Sequence, residues 1–64
     1  MPLAQIHILE GRSPEQKRQL MEEVTAAICR TLGAAPETVR VLVYELPKTH
    51  WAVGGVPMAE LTRR

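Results

Sequence analysis

Two apolar segments flank one clearly marked helix, and this order limits the chain to a small number of folds. Ser13 is a good N-cap, Pro14 suits the first helical position, and Gln16 stands where a capping box closes. Gly33 suits the end of the helix. Between these limits the apolar residues recur at helical spacing and form one stripe that can pack on a sheet: Leu20, Met21, Val24, Ala27, Ile28 and Leu32. We interpret the opposite side as an ordinary solvated face with weak ion pairs, formed by Lys17, Arg18, Glu22, Glu23 and Arg30.

The flanking segments, residues 2–9 and 39–46, have the composition of β-strands because they are rich in β-branched and other apolar residues. Both faces of the first segment are largely apolar, which is typical of a strand that is covered on both sides. Strand, helix and strand in this order predict a right-handed crossover between two parallel strands. The Gly54–Gly55 pair predicts a small C-terminal β-hairpin. The predicted fold class is therefore α+β, in a single domain that spans residues 1–64.

The small size of the chain favours assembly with further copies. A domain of 64 residues buries only about 60% of the surface of its unfolded chain, and two strands make a sheet that is too small to be stable alone. The single cysteine cannot form an internal disulfide, and the two histidines and the cysteine do not have metal-ligand spacing. We therefore expect a homo-oligomer and no bound metal.

Charge and hydropathy restrict the partners. The formal net charge of +1 and the lack of a basic run give no reason to expect nucleic acid or an acidic membrane as a partner. No charged and then apolar signal peptide precedes the domain, and the longest apolar run is far shorter than the roughly 20 residues that span a bilayer. The sequence thus predicts a cytoplasmic protein without membrane association, in which Cys29 is a small apolar helix residue.

Pro2 is the first candidate for chemistry. Initiator methionine is commonly removed before proline, and removal of Met1 would leave Pro2 as a free secondary amine that can act as a base; the alternative is a proline that simply begins a strand. Arg40 places a guanidinium on an otherwise apolar strand, where it needs an anion or a solvent-facing edge. We interpret His7 as a partly buried structural histidine. Trp51 is either core or interface filler, or the wall of a ligand pocket.

Taken in order, these features resemble the 4-oxalocrotonate tautomerase family over essentially the whole chain. The matching stretches are Pro2, residues 4–13, Val39-Arg40-Val41, His50 with an aromatic residue at position 51, and Gly54-Gly55. The resemblance implies a β-α-β unit with a C-terminal hairpin, assembled as a hexamer from dimers whose sheets join. The chain departs from the family pattern at Trp51, where the archetype has phenylalanine, and in a tail that carries a Val56-Pro57 pair and one additional residue.

The resemblance also implies the activity and the roles of the site residues. We expect an isomerase of aromatic hydrocarbon catabolism, without a cofactor, that converts 2-hydroxymuconate-like dienols to the conjugated 2-oxo acid with Pro2 as general base. Its substrate would be a small dicarboxylate or 2-oxo acid. Arg12 would hold the distal carboxylate, and Arg40 of a neighbouring subunit would meet the 2-oxygen and the adjoining carboxylate. The resemblance also leads us to expect that Leu9, Thr38 and Trp51 contact the substrate.

These roles agree with the physical needs of the reaction. A proline amine is normally protonated at neutral pH, so its pKa has to be lowered before it can accept a proton. An apolar surround and nearby arginines both disfavour the cationic form. The planar guanidinium can hold a carboxylate through two parallel hydrogen bonds, and it can also stabilise the oxygen of a dienolate.

Two other functions compete with this prediction. Hydrolytic dehalogenation or hydration of a short unsaturated acid would need a protonated proline and a separate carboxylate that activates water, for which Glu10 and Glu45 are the candidates. A non-catalytic oligomeric module is the second alternative. Retention of Met1 would favour it, because an acylated proline nitrogen has no usable lone pair. The sequence assigns no role to Arg63 and Arg64.

Overall fold

The computed structural model describes residues 1–61. Its elements in chain order are the strand β1 (Leu3–Leu9), the helix α1 (Pro14–Leu32), the strands β2 (Arg40–Leu46), β3 (Ala52–Val53) and β4 (Val56–Pro57), and the short helix α2 (Met58–Leu61). Single 3-10 turns lie at Pro36–Thr38 and Lys48–His50. This arrangement confirms the predicted α+β fold, a β-α-β unit followed by a C-terminal hairpin. Thr62, Arg63 and Arg64 lie outside the described residues.

The strands β1 and β2 pair in parallel along their whole length. Leu3 lies opposite Arg40 at one end and Leu9 opposite Leu46 at the other. At the N-terminal end of the sheet the Arg40 N–H donates to the carbonyl oxygen of Pro2 at 3.0 Å. At the C-terminal end the Glu10 N–H donates to the carbonyl oxygen of Leu46 at 2.9 Å. The two backbone hydrogen bonds therefore extend the pairing by one residue beyond each end of β1.

The helix α1 begins and ends where the sequence predicts. The Gln16 N–H donates to Ser13 Oγ at 3.1 Å, and the Ser13 N–H donates to Gln16 Oε1 at 3.0 Å, which is a complete capping box. Gly33 has φ of 69° and donates its N–H to the Cys29 carbonyl at 3.0 Å. A left-handed residue at this position is usually glycine because glycine has no Cβ to clash.

One face of α1 packs on one face of the sheet and forms the interior of the protomer. Among the described residues only Val39, just before β2, is buried, with 8% of its surface exposed, while the facing apolar side chains of helix and sheet are half-buried. Leu32 was predicted in the apolar stripe of the helix but is 68% exposed at its end. The prediction of Lys17 on the solvated face is wrong, because its side chain is only 25% exposed and its Nζ lies 2.7 Å from Glu45 Oε1. The pattern of the helix alone could not identify this partner on β2.

The other face of the sheet is open in the protomer and largely apolar. Leu3 is 59% exposed, and Leu42 and Tyr44 are each 41% exposed. His7 lies on this face and stacks on Tyr44, with ring centroids 4.9 Å apart and ring planes 14° from parallel. The predicted partial burial of His7 is therefore absent from the protomer, and its imidazole contacts a ring on the neighbouring strand.

The protomer is more extended than a compact domain of its size. Its radius of gyration is 14.9 Å, against roughly 11 Å for a compact chain of this length. Its accessible surface is 4891 Å², against roughly 4100 Å² for a compact monomer of the same mass. An exposed apolar sheet face and an extended shape both leave surface that a further copy of the chain can cover.

The C-terminal hairpin of β3 and β4 forms a second small sheet, separate from β1 and β2. Its two turn residues, Gly54 and Gly55, have φ of 61° and 84°. Positive φ at both central residues matches the twist of a two-residue hairpin and confirms the predicted role of the glycine pair. The Met58 N–H donates to the carbonyl oxygen of Trp51 at 2.7 Å and ties α2 to the start of the hairpin. No helix within residues 1–61 has the length and apolar character needed to cross a membrane.

Candidate active site

The predicted site residues divide between the two ends of the parallel sheet. Pro2 and Arg40 lie at the N-terminal end, and Thr38 lies two residues before β2. Leu9 is the last residue of β1, Arg12 follows it in the loop before α1, and Trp51 follows β2 after a single 3-10 turn. Strands of seven residues separate the two ends by roughly 20 Å. One protomer therefore does not bring Pro2 and Arg12 to the same substrate.

The N-terminal end places the backbones of Pro2 and Arg40 of one chain next to each other, so Arg40 of the same chain is an alternative to the predicted Arg40 of a neighbouring subunit. Their backbones are joined by the 3.0 Å hydrogen bond from the Arg40 N–H to the Pro2 carbonyl, and Pro2 is half-buried. Arg40 Nη1 donates to the carbonyl oxygens of Glu37 at 2.9 Å and Val39 at 3.3 Å. No acceptor within residues 1–61 contacts Arg40 Nε or Nη2, so one edge of the guanidinium is available to an anion.

Thr38 is half-buried beside this end, in the 3-10 turn before β2. Its Oγ1 donates to the carbonyl oxygen of Ala35 at 2.7 Å, and its N–H donates to the same oxygen at 3.0 Å. Because the hydroxyl proton is already donated, Thr38 can offer a substrate only the lone pairs of its oxygen. The residue is better placed to receive a hydrogen bond from a substrate hydroxyl than to bind a carboxylate.

The C-terminal end presents Arg12 from a loop that is fixed on both sides. The Glu10 hydrogen bond to Leu46 holds the loop where it leaves β1, and the capping box holds it where it enters α1. Gly11, between them, has φ of 116°, a conformation that side chains rarely adopt. Arg12 is exposed and makes no ion pair within the described part of the chain. It borders an open pocket of about 220 Å³, whose lining residues are Ile8, Arg12, Gln16, Lys17 and Leu20.

Trp51 has properties that suit both the wall of a ligand pocket and the packing of a core or interface. Its ring is half-buried in the protomer, and its indole N–H meets no acceptor in residues 1–61. A tryptophan of this kind can present an apolar ring and a hydrogen-bond donor to a ligand. These properties fit both predicted roles of Trp51. Leu9 is likewise half-buried at its strand end.

The carboxylates that the hydratase or dehalogenase alternative requires do not lie near Pro2 in the protomer. Glu10 and Glu45 both lie at the C-terminal end of the sheet. Glu45 Oε1 is 2.7 Å from Lys17 Nζ and is held by this ion pair. Neither carboxylate is thus placed to activate water beside Pro2 of its own chain.

Comparison with known proteins finds similarity along nearly the whole chain. The family model described as "Tautomerase enzyme" matches residues 2–61. The chain is 52% identical over 63 residues to a 2-hydroxymuconate tautomerase of Pseudomonas putida, with 98% of this chain and 100% of that protein covered. It is 58% identical over 55 residues to a 2-hydroxymuconate tautomerase of Stutzerimonas stutzeri, with 86% and 87% covered.

Solved structures give the same result for the fold. A heterohexamer 4-oxalocrotonate tautomerase from Chloroflexus aurantiacus is 46% identical and has a TM-score of 0.90, with 95% of this chain and 98% of that chain covered. A 4-oxalocrotonate tautomerase homologue of the tomaymycin biosynthetic pathway is 46% identical with a TM-score of 0.96, and 98% and 97% are covered. These findings support the prediction of a tautomerase-type isomerase and give no support to a hydratase or dehalogenase. Because the family model covers nearly all of the chain and the relatives are about half identical, the chain belongs to the tautomerase family.

Proposed function

We propose that the chain is a cytoplasmic isomerase that converts 2-hydroxymuconate, or a closely similar 2-hydroxydienoate with two carboxylates, to the conjugated 2-oxo acid. The Pro2 nitrogen, freed by removal of Met1, is the general base. The observation that carries the proposal is the backbone hydrogen bond from the Arg40 N–H to the Pro2 carbonyl, which places Arg40 next to Pro2 at the end of the sheet. The relatives named 2-hydroxymuconate tautomerase support this choice of substrate.

The reaction is a proton transfer from oxygen to carbon within one substrate molecule. The Pro2 nitrogen accepts the proton of the 2-hydroxyl group, and the electron pair left on the oxygen forms the C2=O double bond. The double bond between C2 and C3 moves to C3 and C4, and the pair displaced from C4 and C5 takes up a proton at C5. The protonated amine returns that proton and is regenerated as the base.

Arg40 acts on the oxygen where negative charge develops. Its free Nε and Nη2 edge can meet the 2-oxygen and the adjoining carboxylate, and this interaction strengthens as the dienolate forms. The positive charge also disfavours protonation of an amine beside it, as does the half-burial of Pro2. The same residue thus favours the unprotonated form of Pro2, which can accept a proton, and stabilises the transition state.

Arg12 reaches this site from another protomer. Because it lies at the opposite end of the sheet from its own Pro2, the distal carboxylate can meet Arg12 only where the C-terminal end of one sheet approaches the N-terminal end of another. We propose a homohexamer in which each site is shared in this way, with Leu9 and Trp51 entering beside Arg12. The exposed apolar sheet face supports the assembly, and the Chloroflexus relative is a heterohexamer. Sedimentation at micromolar concentration tests it, and a stable monomer would contradict it.

The decisive experiment compares the mature chain with a chain that retains Met1. Intact mass identifies each preparation, and conversion of 2-hydroxymuconate is followed by the change in its ultraviolet absorbance. We expect the trimmed chain to be active and the chain that retains Met1 to be inactive, because an acylated nitrogen cannot accept the proton. Equal rates would remove Pro2 as the base, and inactivity of both preparations would favour the non-catalytic alternative.

A further inference from the structure

An ion pair between Lys17 and Glu45 joins the first turns of α1 to the end of β2. The Nζ and Oε1 atoms are 2.7 Å apart, and the two side chains are 25% and 36% exposed. The other ion pairs in the described part of the chain are on the solvent face of α1, where Arg18 is 72% exposed and faces Glu15 and Glu22. The Lys17–Glu45 pair is therefore the ion pair, within residues 1–61, that links the helix to the sheet.

This ion pair is one of several contacts that hold the chain on both sides of Arg12. Glu45 is followed by Leu46, whose carbonyl accepts the Glu10 N–H at 2.9 Å. The end of β2 thus holds the loop before Arg12 through a backbone hydrogen bond and the helix after Arg12 through the ion pair. The capping box closes the remaining turn between Ser13 and Gln16. Arg12 thus lies between the loop residue Glu10 and the helix residue Lys17, and both are bound to the end of β2.

We propose that Lys17 and Glu45 are positioning residues for Arg12, which set the place of its guanidinium and so the preference for substrates with a distal carboxylate. The inference rests on the proposed function, in which Arg12 binds that carboxylate. Neither residue is required to touch the substrate. Their effect is on the geometry of a charged, bidentate contact, which depends strongly on the orientation of the planar guanidinium.

Charge in the adjacent pocket supports the same role. Lys17 and Arg12 line one pocket together with the apolar Ile8 and Leu20. Two cations that share a pocket repel each other, and Glu45 offsets this repulsion by its contact with Lys17. Arg12 has no ion-pair partner in residues 1–61, so its guanidinium is available to a substrate anion.

The test compares two substrates in the full oligomer. One is 2-hydroxymuconate, and the other is 2-hydroxypenta-2,4-dienoate, which lacks the distal carboxylate. Lys17→Met keeps the length of the side chain and removes the charge. We expect KM for the dicarboxylate to rise roughly two- to fivefold, as for loss of a partly exposed ion pair, with kcat nearly unchanged and with little effect on the monocarboxylate. Lys17→Arg should restore the original KM because it can still pair with Glu45.

Two further variants make the result specific. Glu45→Gln should raise KM for the dicarboxylate to the same extent, and the double variant should be no worse than either single variant, because both remove one interaction. Arg18→Met is the matched control, since it breaks exposed ion pairs on the same helix and should leave both KM values unchanged. An unchanged dicarboxylate KM in Lys17→Met, or an equal rise for both substrates, would overturn the inference.

Arg12→Ala separates this inference from the proposed function. It should raise KM for the dicarboxylate by about tenfold or more, the usual effect of losing a charge-assisted hydrogen bond, without a comparable change for the monocarboxylate. If Arg12→Ala does not discriminate between the substrates, the assignment of Arg12 in the proposed function fails. If it discriminates but Lys17→Met does not, only the positioning role fails.

Discussion

At the scale of single residues, the two arginines have different chemical roles because they meet different parts of the substrate. Arg12 is proposed to bind a carboxylate whose charge does not change in the reaction, whereas Arg40 is proposed to meet an oxygen whose negative charge grows. We expect Arg12→Ala to act mainly on KM and Arg40→Ala mainly on kcat. Loss of an oxyanion-type contact can lower kcat by roughly 100-fold or more. Steady-state kinetics on 2-hydroxymuconate check both, and near-normal turnover in Arg40→Ala would refute its assignment.

Pro2 should control the pH dependence of the reaction. The base form of an amine increases as pH rises, so kcat/KM should climb with pH through one ionisation of the free enzyme, below that of an ordinary secondary amine. Titration of the isotope-labelled proline nitrogen by magnetic resonance should give the same ionisation. Pro2→Ala leaves a primary amine if Met1 is still removed, so its activity should fall without vanishing. A rate that is independent of pH, or that falls as pH rises, would argue against an amine base.

At the scale of elements, the capping box of α1 is expected to stabilise both the helix and the loop that carries Arg12. Ser13→Ala removes the acceptor of the Gln16 N–H and should lower the free energy of unfolding by about 1 kcal/mol. Urea denaturation at fixed protein concentration measures the change, since oligomerisation makes stability depend on concentration. Gln19→Ala is the control on the exposed side of the helix, where its amide contacts Glu23, and should change stability by less than about 0.5 kcal/mol. An equal effect of both variants would show that the cap has no special role.

The same scale explains what could be predicted from the sequence and what could not. Helix caps, strand composition and the Gly54–Gly55 turn are local signals, because the residues that decide them are at most a few positions apart. The partner of Lys17 is 28 residues away on β2, and no local pattern identifies a contact between two elements. For the site, the resemblance supplied the residues, but their division between opposite ends of the sheet follows from the parallel register of β1 and β2. The short helix Met58–Leu61 was not predicted, because four residues carry too little periodicity.

At the scale of the whole molecule, the central claim is that one active site combines Pro2 and Arg40 of one protomer with Arg12 of another. Complementation between two deficient variants tests it most directly. A chain blocked at the Pro2 nitrogen by retained Met1 and an Arg12→Ala variant are denatured, mixed in equal amounts and refolded. Turnover of 2-hydroxymuconate is compared with that of each variant refolded alone, at a substrate concentration far below KM, where the raised KM of Arg12→Ala keeps its rate low. If protomers mix at random, about a quarter of the shared sites receive both functional residues, so activity should recover to about that fraction of the natural protein. Activity no higher than the average of the two variants, with mixed oligomers demonstrated by mass, would contradict a site shared between protomers.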